Sequence, residues 1–234
     1  MQAQDAAAAY FFKLWSWVET NIRIVVIGAV VVAVAAILLS YYFWRQNETE
    51  ITAGKALTQL LISTPANSDA SQLANAYLEI AADYPDTQAG GRALVLGAAT
   101  LFASGKYAEA QAQFQKYLNL HPTGPFSAPA ALGVAASLDA QGKTDSAADA
   151  YQRIINSFSD LNAVDAAKFA LAKIDEHRGR FAEAENFYRD VVRDNPNSPL
   201  GSEAAFHGMQ LRSKMPMTAV SNNPPAAFNL STQP

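Results

Sequence analysis

Three histidines, His121, His177 and His207, are the side chains of this sequence best suited to bind a metal or pass a proton near neutral pH. They stand far apart and show neither the HxxxH nor the HxxE spacing that places two ligands on one helical face. None is therefore expected to be a metal ligand or a catalytic base. The acidic pairs Asp175-Glu176 and Glu183 with Glu185 have the chemistry for acid/base work. On helices of this composition such pairs are expected to be solvated surface. The chain contains no cysteine, which excludes disulfides, thiolate zinc sites, a cysteine nucleophile and a lipid-modified N-terminal cysteine. No phosphate-binding GxxxxGK[ST], dinucleotide-binding GxGxxG, GxSxG, HExxH or EF-hand pattern occurs. The expectation is a protein that is not an enzyme and uses no cofactor and no metal.

The elements that carry these residues fall into two parts. Lys13, Arg23 and Arg45 flank an apolar segment, and everything after Arg45 carries 14 basic against 19 acidic side chains. An acidic soluble part argues against nucleic acid as a partner. From Ile24 to Phe43 runs IVVIGAVVVAVAAILLSYYF, an uncharged stretch of 20 residues. At 1.5 Å per residue it matches a hydrocarbon core about 30 Å thick. Arg23 and Arg45 bracket it, and Tyr41, Tyr42, Phe43 and Trp44 form an aromatic belt at one end. A cleaved signal peptide would be shorter and would end in small residues. The reading is a transmembrane helix over 22–44 and one contact with the lipid bilayer. Before it, residues 1–21 place Phe11, Leu14, Trp15 and Val18 at helical spacing, which suits an interfacial helix or a continuation of the spanning one. Lys13, Arg23 and the amino terminus on one side, against Arg45 and Lys55 on the other, bias the N-terminus towards the cytoplasm.

Residues 45–213 repeat. A register of 37 residues aligns GKYAEAQAQFQKY (105–117), GKTDSAADAYQRI (142–154) and GRFAEAENFYRDV (179–191). The columns are Gly105, Gly142 and Gly179; Ala110, Ala147 and Ala184; Phe114, Tyr151 and Tyr188. One period earlier, Tyr77, Ile80 and Pro85 continue the pattern in a degenerate copy, and NSPLGSEAAFHGMQLRS supplies a final helix of the kind that ends solenoids. The physical reading is a helical hairpin per copy. Each Gly reverses the chain in the left-handed conformation, each Ala marks a close helix approach, and each aromatic fills the gap between hairpins. The turns Pro85-Asp86-Thr87 and Pro196-Asn197-Ser198 stop one helix and offer a hydroxyl to cap the next. The first helix of each pair carries a stripe at 3.6-residue spacing: Leu94, Gly97, Ala98 and Leu101, then Ala131, Val134, Ala135 and Leu138. In the third copy the same positions are Lys168, Leu171, Ala172 and Asp175, so that helix is expected to be rotated or partly exposed, with Phe169 and Ile174 carrying its packing.

These offsets resemble the tetratricopeptide repeat, over roughly residues 50 to 213. The resemblance implies an all-α fold of about three to four repeats with a C-terminal capping helix. The departures are three extra residues per period, placed in the turn between hairpins, and Ser159 where Pro is expected. The turn phrases YPDTQAGGRA and NPNSPLGSEA look like repeats of bacterial envelope proteins. The order of amphipathic stretch, membrane helix ending in YYFWRQ and helical repeats is similar to the ancillary subunit of the SecYEG translocon, the YfgM-like family. That resemblance implies an inner-membrane anchor, a cytoplasmic N-terminus, a periplasmic repeat domain, and contacts with SecYEG and a membrane-anchored chaperone.

If the hairpins stack as in that family, the first helices line an inner face at Arg92, Val95, Ala99 and Phe102, then Leu132, Ala136 and Asp139, then Phe169, Lys173 and Glu176. This mixture of apolar and charged groups suits an extended or helical peptide. Two roles are consistent with it: an adaptor for transient clients or chaperones, and a permanent structural subunit of a membrane complex. Residues 214–234 form an uncharged tail after Lys214, rich in Pro, Asn, Ser and Thr and expected to be flexible or extended along a partner.

Overall fold

The computed structural model describes residues 17–63 and 69–214. All regular structure among them is helical: α1 (Ile22–Ser63), α2 (Ala70–Asp83), α3 (Gln88–Ala103), α4 (Tyr107–Leu120), α5 (Ser127–Ala140), α6 (Thr144–Ser157), α7 (Leu161–His177), α8 (Phe181–Asp194) and α9 (Pro199–Lys214). Most of the expected interfacial segment and all of the tail beyond Lys214 lie outside the described residues. The chain divides into two compact units between Lys55 and Ala56.

α1, whose apolar part lies in the first unit, is the one helix among the described residues that is long and apolar enough to cross a membrane. Ile24, Val32 and Ile37 are 63%, 68% and 67% exposed, so none of the described residues covers the apolar run. The helix continues without a break past Trp44, where the spanning segment was expected to end, as far as Ser63.

In the second unit, α3 with α4, α5 with α6, and α7 with α8 are antiparallel hairpins, α2 precedes them and α9 follows. The three reversals are built alike. Gly105, Gly142 and Gly179 have φ of 81°, 74° and 75°, a region that costs an L-residue about 1–2 kcal/mol. The residue after each Gly donates its N–H back to a first-helix carbonyl: Lys106 to Leu101 at 3.0 Å, Lys143 to Leu138 at 3.0 Å, Arg180 to Asp175 at 2.8 Å. This is the bonding of a Schellman cap. The second helices start without a side-chain cap. Glu109, Asp145 and Glu183 instead place an acid in the first turn of each, where the helix dipole favours it.

The first helices start on side-chain caps where the sequence provides one. Thr87 Oγ1 accepts from the Gly90 N–H at 2.9 Å, and Ser198 Oγ from the Gly201 N–H at 2.8 Å, as the Pro-x-Thr/Ser turns predict. Asp160 does the same for α7, accepting from Ala163 at 3.0 Å, which explains how a turn with Ser159 in place of Pro still starts a helix. Turn length is not constant: four, six and three residues precede α3, α5 and α7, yet turn and first helix together span 20 residues in each copy. The residues beyond the usual period are thus shared between the turn and the start of the first helix.

Ala110, Ala147 and Ala184 are fully buried, with Phe114, Tyr151 and Tyr188 packed beside them. At α5 the aromatic approaches so closely that a Cβ on Gly133 would lie 2.4 Å from the Phe114 ring, so this first helix can only seat there without a side chain. The first helices α3, α5, α7 and α9 each touch the next one in the series, whereas the second helices α4, α6 and α8 make no comparable contact with one another. One row is therefore continuous and the other is splayed. The expected exposure of α7 is corrected: Leu171, Ala172 and Asp175 are buried in the register of the earlier copies, together with Phe169 and Ile174. The polar members of that stripe are accommodated by pairing. Lys168 Nζ lies 2.5 Å from Asp194 and 3.8 Å from Asp165, and Asp175 is paired with Arg180.

Candidate protein-binding face

The continuous row of first helices carries the residues expected on the inner face. On α3, Arg92 and Ala99 are exposed and Val95 and Phe102 half-buried, the Phe102 ring lying 5.1 Å from that of Tyr107. On α5, Leu132 and Ala136 are half-buried and Asp139 is exposed. On α7, Lys173 is exposed, Glu176 half-buried and Phe169 buried. Phe169 is placed inside the array: its ring meets Tyr188 edge-on at 5.3 Å and His207 at 5.8 Å. It joins helices α7, α8 and α9. Leu132 leans on the core formed by α5, α6 and α7. Arg92, Val95, Ala99, Ala136, Asp139 and Lys173 remain accessible on adjoining helices.

Four carboxylates on α7 and α8 have partners that the sequence reading missed. Glu185, expected on the surface, is buried, receives Arg212 Nε at 2.9 Å and Nη2 at 2.8 Å, and is also paired with Arg189. Asp175 of the other acidic pair is likewise buried against Arg180. Only Glu183 is exposed as expected. Glu176 accepts from the Tyr188 hydroxyl at 3.3 Å and lies 3.6 Å from both His207 Nδ1 and Lys214 Nζ. Asp165, almost fully buried, accepts from Asn195 Nδ2 at 3.0 Å. Each carboxylate holds a cation or amide from a neighbouring helix or from the residues that cap α8, Arg180 and Asn195, so these groups tie α7, α8 and α9 together. A signal was present: Gln111, Ala148 and Glu185 occupy one column of the repeat, and Gln111 Oε1 accepts from Gln141 Nε2 at 2.8 Å, so the column tolerates a partnered polar group. No cluster of three or more His, Asp or Glu side chains that could hold a metal occurs among the described residues.

The ionisation of these groups follows their surroundings. The Lys168 ammonium, hydrogen-bonded to Asp194 and assisted by Arg193, holds that carboxyl below the usual carboxylate range. Burial first, and then the Asp139 carboxylate, push the Tyr151 phenol well above its ordinary value; for Tyr188, burial is followed by Glu176. A carboxyl with a depressed folded-state pKa contributes stability above its unfolded value, about 3.9, and loses it as pH falls through the lower folded value. Asp194→Asn is accordingly expected to lower stability at neutral pH and to flatten the loss on acidification below about pH 4. Urea midpoints for both chains across that range provide the check. Parallel curves would mean that the Lys168 pair contributes nothing.

Helical hairpins in series, with Gly reversals, small-residue contacts and interlocking aromatics, define a repeat solenoid of the tetratricopeptide class. Residues 15–152, more than half of the chain, match the tetratricopeptide repeat-like domain family, and the chain belongs to it. Residues 137–199 also match the tetratricopeptide repeat. No curated protein matches the chain. A solved structure described as "MamA RS-1 ArsTM double mutant" aligns with a TM-score of 0.46 at 13% identity, over 72% of this chain and 95% of that one.

Proposed function

We propose that this protein is a membrane-anchored scaffold whose first-helix row binds a peptide segment of another protein. The observation that supports it is the continuity of α3, α5 and α7, which presents Val95, Ala99 and Ala136 between the charges of Arg92, Asp139 and Lys173. Repeats of this family generally mediate binding to other proteins, and a surface of small apolar groups rimmed by both signs of charge suits a peptide with an apolar strip. The uncovered apolar run of α1 supports a single membrane span, and the flanking Lys and Arg residues together with the similarity of architecture favour an N-terminus on the cytoplasmic side and repeats in the bacterial periplasm. The similarity of architecture to ancillary SecYEG subunits makes translocon and chaperone components the partners to look for first.

The test is a mild-detergent pull-down of the full chain beside a form starting at Gln46, with co-purifying proteins identified by mass spectrometry. Translocon and chaperone components held by the full chain support the proposal. A fixed stoichiometric set of unrelated membrane proteins would make the chain a permanent subunit of that assembly instead. Val95→Glu combined with Ala136→Glu is expected to abolish capture while leaving the unfolding free energy from urea titration within about 0.5 kcal/mol of the parent, because neither side chain is in the closed core. Undiminished capture by this double variant would place the binding surface elsewhere.

A further inference from the structure

Helix α9 stands 37 residues after α7 and repeats its pattern, so that Ala204 and Leu211 fall where Ala167 and Ile174 do, all four buried. Phe206 and Met209 fall where Phe169 and Ala172 do. On α7 those two positions are 8% and 0% exposed, covered by α8 and α9; on α9 they are 59% and 72% exposed. Among the described residues, the face that closes an internal hairpin is open at this end of the array. In the sequence that follows, Pro224 and Pro225 fall in the columns of Phe187 and Tyr188. Proline in both places would remove two helical N–H donors and clash with the preceding turn.

We propose that this face is covered by α9 of a second copy of the chain, paired antiparallel about a two-fold axis midway between Phe206 and Met209. At 100° per residue, Ser202, Phe206, Met209 and Ser213 form one line opposite the buried Gly201, Ala204, Gly208 and Leu211. In the antiparallel order each Phe206 ring meets the Met209 thioether of the other copy, a favourable sulfur–aromatic contact, and Ser202 faces Ser213. The line is self-complementary in charge. Glu203 and Lys214 share one edge of it, and the pairing brings each Glu203 within about 3 Å, along the axis, of the other copy's Lys214. Lys214 is 54% exposed in its contact with Glu176, so its ammonium remains open to a second carboxylate. Parallel pairing would instead set Glu203 against Glu203. A single 16-residue helix covers less than the roughly 800 Å² per partner of a standard interface. The pairing therefore relies on both copies being held in one bilayer, and in this respect it rests on the membrane-anchor reading above.

The absence of cysteine makes the register directly testable, because introduced thiols are the only ones present. Full-length chains carrying Ser202→Cys and Ser213→Cys are mixed in lipid vesicles, association is verified by flotation, and the mixture is oxidised with copper phenanthroline. The 202–213 combination is expected to form a disulfide dimer several-fold above a Gln152→Cys control. Ser202→Cys alone is expected to stay monomeric, because its two copies would be about 16 Å apart along the axis. Glu203→Lys should lower the yield, and adding Lys214→Glu should restore it. Floating chains that cross-link no better than the control, that cross-link 202 to 202, or that ignore the charge swap would overturn the pairing. Chains that fail to float would instead refute the membrane anchor.

Discussion

Tyr188→Ala is expected to destabilise the repeat array by about 3–5 kcal/mol, the range for removing a fully buried aromatic. The ring is completely buried, lies nearly parallel to the His207 ring at 5.3 Å, and meets Phe169 edge-on. Its removal opens a cavity at the junction of α7, α8 and α9 and releases Glu176 from the Tyr188 hydroxyl. Tyr188→Phe keeps the ring and is expected to cost only about 1 kcal/mol, the net value of one hydrogen bond. Both variants differ from the parent in alkali as well. The folded state raises the Tyr188 phenol, so its contribution is complete below the unfolded value near 10 and is lost as pH rises past it. Tyr188→Phe should remove that part of the alkaline loss. Urea titrations read both effects, and a cost for Tyr188→Ala no larger than for Tyr188→Phe would mean that the ring does not hold the hairpins together.

Gly90→Ala is expected to lose about 2 kcal/mol, despite the general preference of helix interiors for alanine. The first turn of α3 is tied to the preceding turn through Thr87, and a Cβ on Gly90 would stand 1.9 Å from the Tyr84 carbonyl oxygen and 2.8 Å from its carbon. Those are backbone atoms, so the turn itself must move. Overpacking of this kind costs up to about 3 kcal/mol, against about 1 kcal/mol gained from helix propensity. Gly54 on α1 supplies the comparison, because nothing lies within 4 Å of a Cβ added there. Gly54→Ala should be neutral or slightly stabilising. A stabilising effect at both glycines would show that the Thr87 turn yields without cost.

The hairpins were legible because their determinants are local and periodic. Gly105, Gly142 and Gly179 mark the reversals, and the columns of Ala and aromatic residues at fixed distance mark the contacts, so spacing alone carries the fold. The turns were legible for the same reason, since Thr87 and Ser198 bond within three residues of themselves. What escaped depends on partners distant in sequence. Glu185 reads as solvated until Arg212, 27 residues on, is brought to it, and Lys168 and Asp175 read as breaks in an apolar stripe until their counter-ions are in place. Phe169 reads both as packing for α7 and as part of the inner face, and only its cover by Tyr188 and His207 decides for packing. The glycines at 90 and 201 gave no warning either. Each is needed because a turn carbonyl, from Tyr84 or Asn195, folds back onto the helix start.

Within the repeat unit, the main contacts of each helix are with its immediate neighbours and, in the first row, with the next-but-one helix. A polymer connected in this way has short loops to close at every stage, and each hairpin can add to the one before it without waiting for the far end. For a chain that emerges progressively, the array is able to set as it appears, from α2 towards α9, with each open face covered by the next hairpin to arrive.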